Sequence, residues 1–101
     1  VTGTSRSALL SDVPTVIESG VPGYSVTSWY GFFAPARTPS AIIARLNTDM
    51  VAVLKMPEVN KRLVALGADV SPTTSEEFSR IVRDEIQKWA KVVKISGAKA
   101  Q

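Results

Sequence analysis

The stretch from Thr74 to Gly97 constrains this chain more than any other, because it spells a long amphipathic helix with both ends marked. Thr74 and Glu77 have the spacing of a reciprocal capping box, in which a hydroxyl and a carboxylate each accept a backbone N–H that the first helical turn leaves unused. Phe78, Ile81, Val82, Ile86, Trp89, Val92 and Val93 then share an arc of about 140° on the helical wheel, with Arg80, Arg83, Asp84, Gln87 and Lys91 opposite. Gly97 follows as the closing residue. A stripe of that width has to be laid against another apolar surface, so the rest of the chain is read for the cover it can offer.

Two shorter helices precede it. Thr38 followed by Pro39 marks a start, and Ile43, Leu46, Met50, Val53 and Leu54 recur at helical spacing until Pro57 interrupts. Met56-Pro57-Glu58 restarts a second helix carrying Val59, Leu63, Val64 and Leu66, which Gly67 closes. Residues 68–72, ADVSP, read as a short strand. The first half of the chain is loop and strand. Ser11 or Asp12 can cap a short helix over residues 14–19, with Pro14 near its first turn and Gly20 in the left-handed closing position. Val21-Pro22-Gly23 is a turn. Residues 24–34 are rich in aromatic and β-branched types and too often broken by Ser and Gly for a helix, which predicts a strand with a bulge at Gly31.

With 101 residues the chain is one small domain, able to bury roughly 60–70% of its unfolded surface around a single core. It contains neither His nor Cys. Their absence excludes Ser–His and Cys–His catalysis, imidazole and thiolate metal sites, and disulfides. Lys and Arg exceed Asp and Glu by 12 to 9, and the excess is scattered over Arg6, Arg37, Arg45, Arg62 and Arg80. Only Lys88, Lys91, Lys94 and Lys99 gather, near a helix end whose dipole favours cations, so no nucleic-acid stripe forms. No apolar run reaches the ~18 residues of a membrane span, and Val1–Leu10 has Gly3, Ser5, Arg6 and Ser7 where a secretion signal needs an apolar core. A VTGTS start without an initiator Met points to a fragment or a processed chain.

Two polar residues interrupt apolar faces: Glu85 on the long helix and Asn47 on the helix through Ile43 and Leu54. A carboxylate among apolar neighbours has to be paired or protonated. Glu85 is therefore read as a hydrogen-bond or salt-bridge anchor, and Asn47 as bonding the backbone of a neighbouring loop. No two carboxylates are placed as an acid and a base, and no Gly-rich loop has the length and Lys of a phosphate cradle. An enzyme working through Tyr30 or Glu85 is rejected on these grounds, and no catalytic residue, metal ligand or cofactor is assigned. Ligand chemistry gathers in TSWYGFFAP, residues 27–35, where hydroxyls, an indole, a phenol and glycine backbone stand together. That combination suits the wall of a small-molecule cleft and also an ordinary half-buried strand.

In order along the chain, DVPT (12–15), SWYG with the FFAP and TP that follow (28–39), LGA (66–68) and the EI, KW and KV of 85–92 closely resemble the C-terminal third of the Bug family. These are the extracytoplasmic solute receptors of tripartite tricarboxylate transporters, and the resemblance covers essentially the whole chain. It implies an α/β fold, a partial lobe of the type II periplasmic-binding-protein architecture with short strands packed under three helices. Residues 1–8 would end a hinge strand and 9–101 would return into the first lobe. It also implies a periplasmic, non-enzymatic receptor for small organic carboxylates that serves the membrane subunits of a transporter, with Ser28, Trp29 and Tyr30 at the ligand. The competing reading is a non-catalytic interaction or dimerisation module contacting a transporter or sensor partner. An unpaired strand edge through Val26 and Trp29, together with partly uncovered helix faces, predicts a twofold homodimer.

Overall fold

The computed structural model describes residues 1–99 and divides the chain into two units, Val1–Phe33 and the residues from Ala34 onward. The second unit is helical: α1 (Ser40–Leu54), α2 (Pro57–Ala65) and α3 (Ser75–Ser96), with α1 packed against both of the others. Each boundary has a chemical cause. α1 starts after Pro39, whose carbonyl accepts the N–H groups of Ile42 and Ile43 at 3.0 and 3.2 Å, and no side chain caps it. Thr38, expected to mark that start, instead donates its hydroxyl to Pro35 O at 2.8 Å, beside Arg37 at a left-handed φ of 68°. Pro57 has no N–H to continue the ladder of α1, and at the first position of α2 none is needed.

α2 ends where Gly67 N–H reaches Val64 O at 2.9 Å and Ala68 N–H reaches Leu63 O at 3.0 Å. This is a Schellman closure, and Gly67 takes φ 83°, which a Cβ would strain. α3 carries the expected capping box: Thr74 Oγ1 accepts from Glu77 N–H at 3.1 Å, and Glu77 Oε2 accepts from Thr74 N–H at 2.9 Å. Gly97, at φ 68°, ends it.

The first unit has no regular element among the described residues. The helix expected over 14–19 is a single turn, capped by Thr15 in place of Ser11 or Asp12. Thr15 Oγ1 accepts from Glu18 N–H at 3.0 Å while Glu18 Oε2 accepts from Thr15 N–H at 2.7 Å, a second capping box. Gly20, at φ 104°, donates to Ile17 O at 3.1 Å, and Val21 donates to Val16 O at 3.2 Å. A cap at Thr15 and a stop at Gly20 leave room for one turn, which cannot propagate. The turn at Val21–Gly23 forms as expected, with Tyr24 N–H on Val21 O at 3.4 Å.

Among the described residues no strand forms, so the short strands expected at 24–34, with the bulge at Gly31, and at 68–72 are corrected to irregular chain. Aromatic and β-branched residues favour a pleated surface only where a ladder exists to join. Here the chain is joined by bonds that do not extend into a ladder, among them Val26 N–H to Thr2 O at 2.9 Å, Val1 N to Pro14 O at 2.7 Å, and Val16 N–H to Val1 O at 2.9 Å. The last two flank Thr15 in the manner of one rung of a parallel ladder. The homodimer expectation rested on an edge strand through Val26 and Trp29 to be paired, along with partly uncovered helix faces. With no strand there, its argument falls away.

The single core expected from chain length is also absent. Among the described residues no hydrophobic side chain is buried, and the one buried residue is Thr15, 2% exposed. On the stripe of α3, Trp89 is 39% and Ile86 64% exposed. Amphipathic faces have formed, but these residues do not supply their cover.

Candidate functional site

Ser28, Trp29 and Tyr30 lie on the exposed run that follows Val26 in the first unit. The bond from Val26 to Thr2 places residues 2 and 26 side by side, and a Cβ on Gly3 would stand 3.9 Å from Thr27 Oγ1. Beyond that point the chain makes no turn until residue 36. Tyr30 is 96% exposed, and Phe32 and Phe33 are also largely exposed. The Ser28 and Tyr30 hydroxyls and the Trp29 indole N–H can all donate, and residues 24–35 contain no charged group to repel an anion. Such a surface can recognise an acceptor-rich ligand beside apolar area. Residues 24–35 contain no carboxylate, Lys or His that could activate the Ser28 or Tyr30 hydroxyl.

The same unit contains a polar knot centred on Thr15. Arg6 Nε donates to Glu18 Oε1 and Oε2 at 3.1 and 3.0 Å, and Arg6 Nη1 donates to Ser11 O at 3.0 Å. Glu18 also accepts from Thr15 N–H, and Ser19 Oγ donates to Thr15 O at 2.9 Å. The Arg6 guanidinium, and after it the Thr15 N–H, hold the Glu18 carboxyl below the usual carboxylate range. Sequence reading missed this knot. Half of its signal was present, since Thr15 and Glu18 have the same spacing as Thr74 and Glu77. The Arg6 partner, twelve residues from Glu18, leaves no pattern.

The two polar residues on apolar faces are held as expected. Asn47 Nδ2 donates to Thr73 O at 2.9 Å, tying the chain ahead of α3 to α1. Glu85 Oε2 accepts from Trp89 Nε1 at 2.7 Å, and Oε1 lies 3.6 Å from Lys88 Nζ. The Lys88 ammonium is 5.6 Å from the centroid of the Trp89 ring, so acid, base and indole stand together on the flank of α3. Concave surfaces in the second unit, one running from Asn47 to Glu77 and another beside Arg80 and Arg83, are open, and neither includes residues 28–30. Among the described residues no group of acidic side chains could hold a metal, and no helix is long and apolar enough to cross a membrane.

Comparison with known proteins matches residues 1–98 to the family described as the tripartite tricarboxylate transporter family receptor. Protein BugT of Bordetella pertussis is 33% identical over 99 residues, which is 98% of this chain and 30% of that protein. The UPF0065 protein in the tcbD-tcbE intergenic region of a Pseudomonas species is 33% identical over 94 residues, covering 92% of this chain and 28% of that protein. Among solved structures, R. palustris Rpa4515 with adipate is 38% identical and superposes with a TM-score of 0.81, over 95% of this chain and 32% of that one. The chain therefore spans about a third or less of the length of these relatives.

Proposed function

The chain belongs to the tripartite tricarboxylate transporter family of receptors, and from that membership we propose that it is the C-terminal part of a two-lobed periplasmic receptor. The complete protein closes on a small organic carboxylate and delivers it to the membrane subunits of a tripartite transporter. The family is one of solute-binding receptors, not enzymes. The observation that carries the ligand class is the likeness, over nearly the whole chain, to the R. palustris protein solved with adipate.

In this reading residues 1–8, expected as the end of a hinge strand but irregular here, are the end of the segment that crosses between the lobes, and Ser28, Trp29 and Tyr30 face the cleft. The hydroxyls and the indole N–H donate to carboxylate oxygens, while the aromatic faces lie against the methylenes between them. The uncovered stripe of α3 is consistent with a lobe whose remaining part lies in the rest of the receptor, since the relatives are about three times longer. The alternative of an interaction or dimerisation module is not favoured: its edge strand is absent, and the uncovered helix faces are accounted for by the part of the receptor outside this chain.

The test is calorimetry of the complete receptor against adipate, a series of shorter dicarboxylates and a tricarboxylate. Saturable heat is expected with at least one of them, and Ser28→Ala or Tyr30→Phe should weaken it by about tenfold, the value of a donor to a charged acceptor. A folded receptor giving no saturable heat with any member of the series would overturn the reading.

A further inference from the structure

Residues 28–30 follow Val26, and what holds Val26 can be traced back through the first unit. Its N–H bonds Thr2 O at 2.9 Å. Thr2 is fixed in turn by Val1, which bonds Pro14 O and Val16 N–H on either side of Thr15. Thr15 is the buried residue of the unit, and both its N–H and its hydroxyl are engaged by Glu18. Arg6 closes the path, with its guanidinium on Glu18 and on Ser11 O. We infer that Arg6 and Glu18 are positioning residues for the Ser28–Tyr30 segment, setting the register in which Thr2 meets Val26. The inference rests on the receptor reading for what residues 28–30 contact.

Position matters here because the chain beyond Val26 makes no turn until residue 36, so a shift of the bond between Val26 and Thr2 would displace Ser28, Trp29 and Tyr30 together. The clamp is suited to that task by geometry more than by strength. Both side chains are 45% exposed, and exposed ion pairs add little to stability. A guanidinium, however, can hold a carboxylate and a backbone carbonyl at once in a fixed plane, which an ammonium on a flexible stem cannot. Arg6 therefore ties three stretches of chain, those at residues 6, 11 and 18, into one frame.

Hydrogen exchange and adipate calorimetry on the complete receptor test this, using Arg6→Ala, Arg6→Lys and Glu18→Gln, with Tyr30→Phe as the control. Protection of the Val26 amide is expected to fall about fivefold or more in Arg6→Ala and Glu18→Gln, in step with adipate affinity, while the amides of α3 keep theirs. Arg6→Lys should recover only part of the loss and keeps the test alive if Arg6→Ala fails to fold. Tyr30→Phe should weaken adipate binding and leave Val26 protected. Unchanged Val26 protection in folded variants overturns the inference, and so does lost protection with adipate affinity retained. If the unmodified receptor binds no dicarboxylate while Val26 still loses protection in the variants, the register role stands and the ligand reading is what fails.

Discussion

Val1–Phe33 and the residues from Ala34 onward satisfy their backbone polar groups in opposite ways. In the first unit the decisive bonds reach far along the chain, from Val1 to Pro14, from Arg6 to Glu18 and from Val26 to Thr2. They enclose a threonine, and no helix or strand results. In the second unit the bonds are those of three helices, with ends set by Pro57, Gly67, the Thr74 box and Gly97. Those helices form without burying a single side chain among the described residues. A polar knot can hold a small loop region by itself, whereas local helix rules build amphipathic faces and leave open what covers them.

The largest effect should come from α3. In the complete receptor Trp89→Ala is expected to cost about 3 kcal/mol in denaturant unfolding, as for a large aromatic in a closed core. A loss under about 1 kcal/mol would match a surface position and mean that the stripe stays open in the receptor as well. The next effect should come from the knot. Thr15→Val keeps the shape but removes the capping hydroxyl, and should cost about 1–2 kcal/mol, with Thr15→Ser costing much less. Equal stability of Thr15→Val and the parent would show that apolar contact, not hydrogen bonding, holds the first unit.

The smallest effect concerns pH. Because the folded Glu18 carboxyl sits below the ordinary carboxylate value, its contribution is fully present above that ordinary value and is lost as pH falls through the folded one. The stability difference between the parent and Glu18→Gln should therefore shrink on the acid side, and shrink further in salt, since the pair is exposed. A difference that stays constant through the carboxylate range would show that the Arg6 pair does not report on folding.

What could be read from the sequence divides along the same line. The capping box of α3, the Gly67 and Gly97 stops, the break at Pro57 and the bonds of Asn47 and Glu85 were legible because each depends on neighbours a few residues away or on one polar group in an apolar arc. Residues 24–34 misled because β-propensity measures the fit to a ladder, and the bond from Val26 to Thr2 is not continued into one. Thr15 and Glu18 carried a readable cap, but Gly20 stands so close that the cap starts a turn instead of a helix. The candidate ligand segment was legible in its chemistry, through Ser28, Trp29 and Tyr30. What positions it was not, because Arg6 meets Glu18 only in three dimensions.

The most direct test of the account is scanning calorimetry of the 101-residue chain beside the complete receptor. If the apolar faces of α1 to α3 belong to a core completed elsewhere, the chain alone should melt without a cooperative peak while the receptor shows one. A reversible two-state transition of the isolated chain, with an enthalpy near the ~70 kcal/mol expected of a self-sufficient domain of about 100 residues, would contradict it.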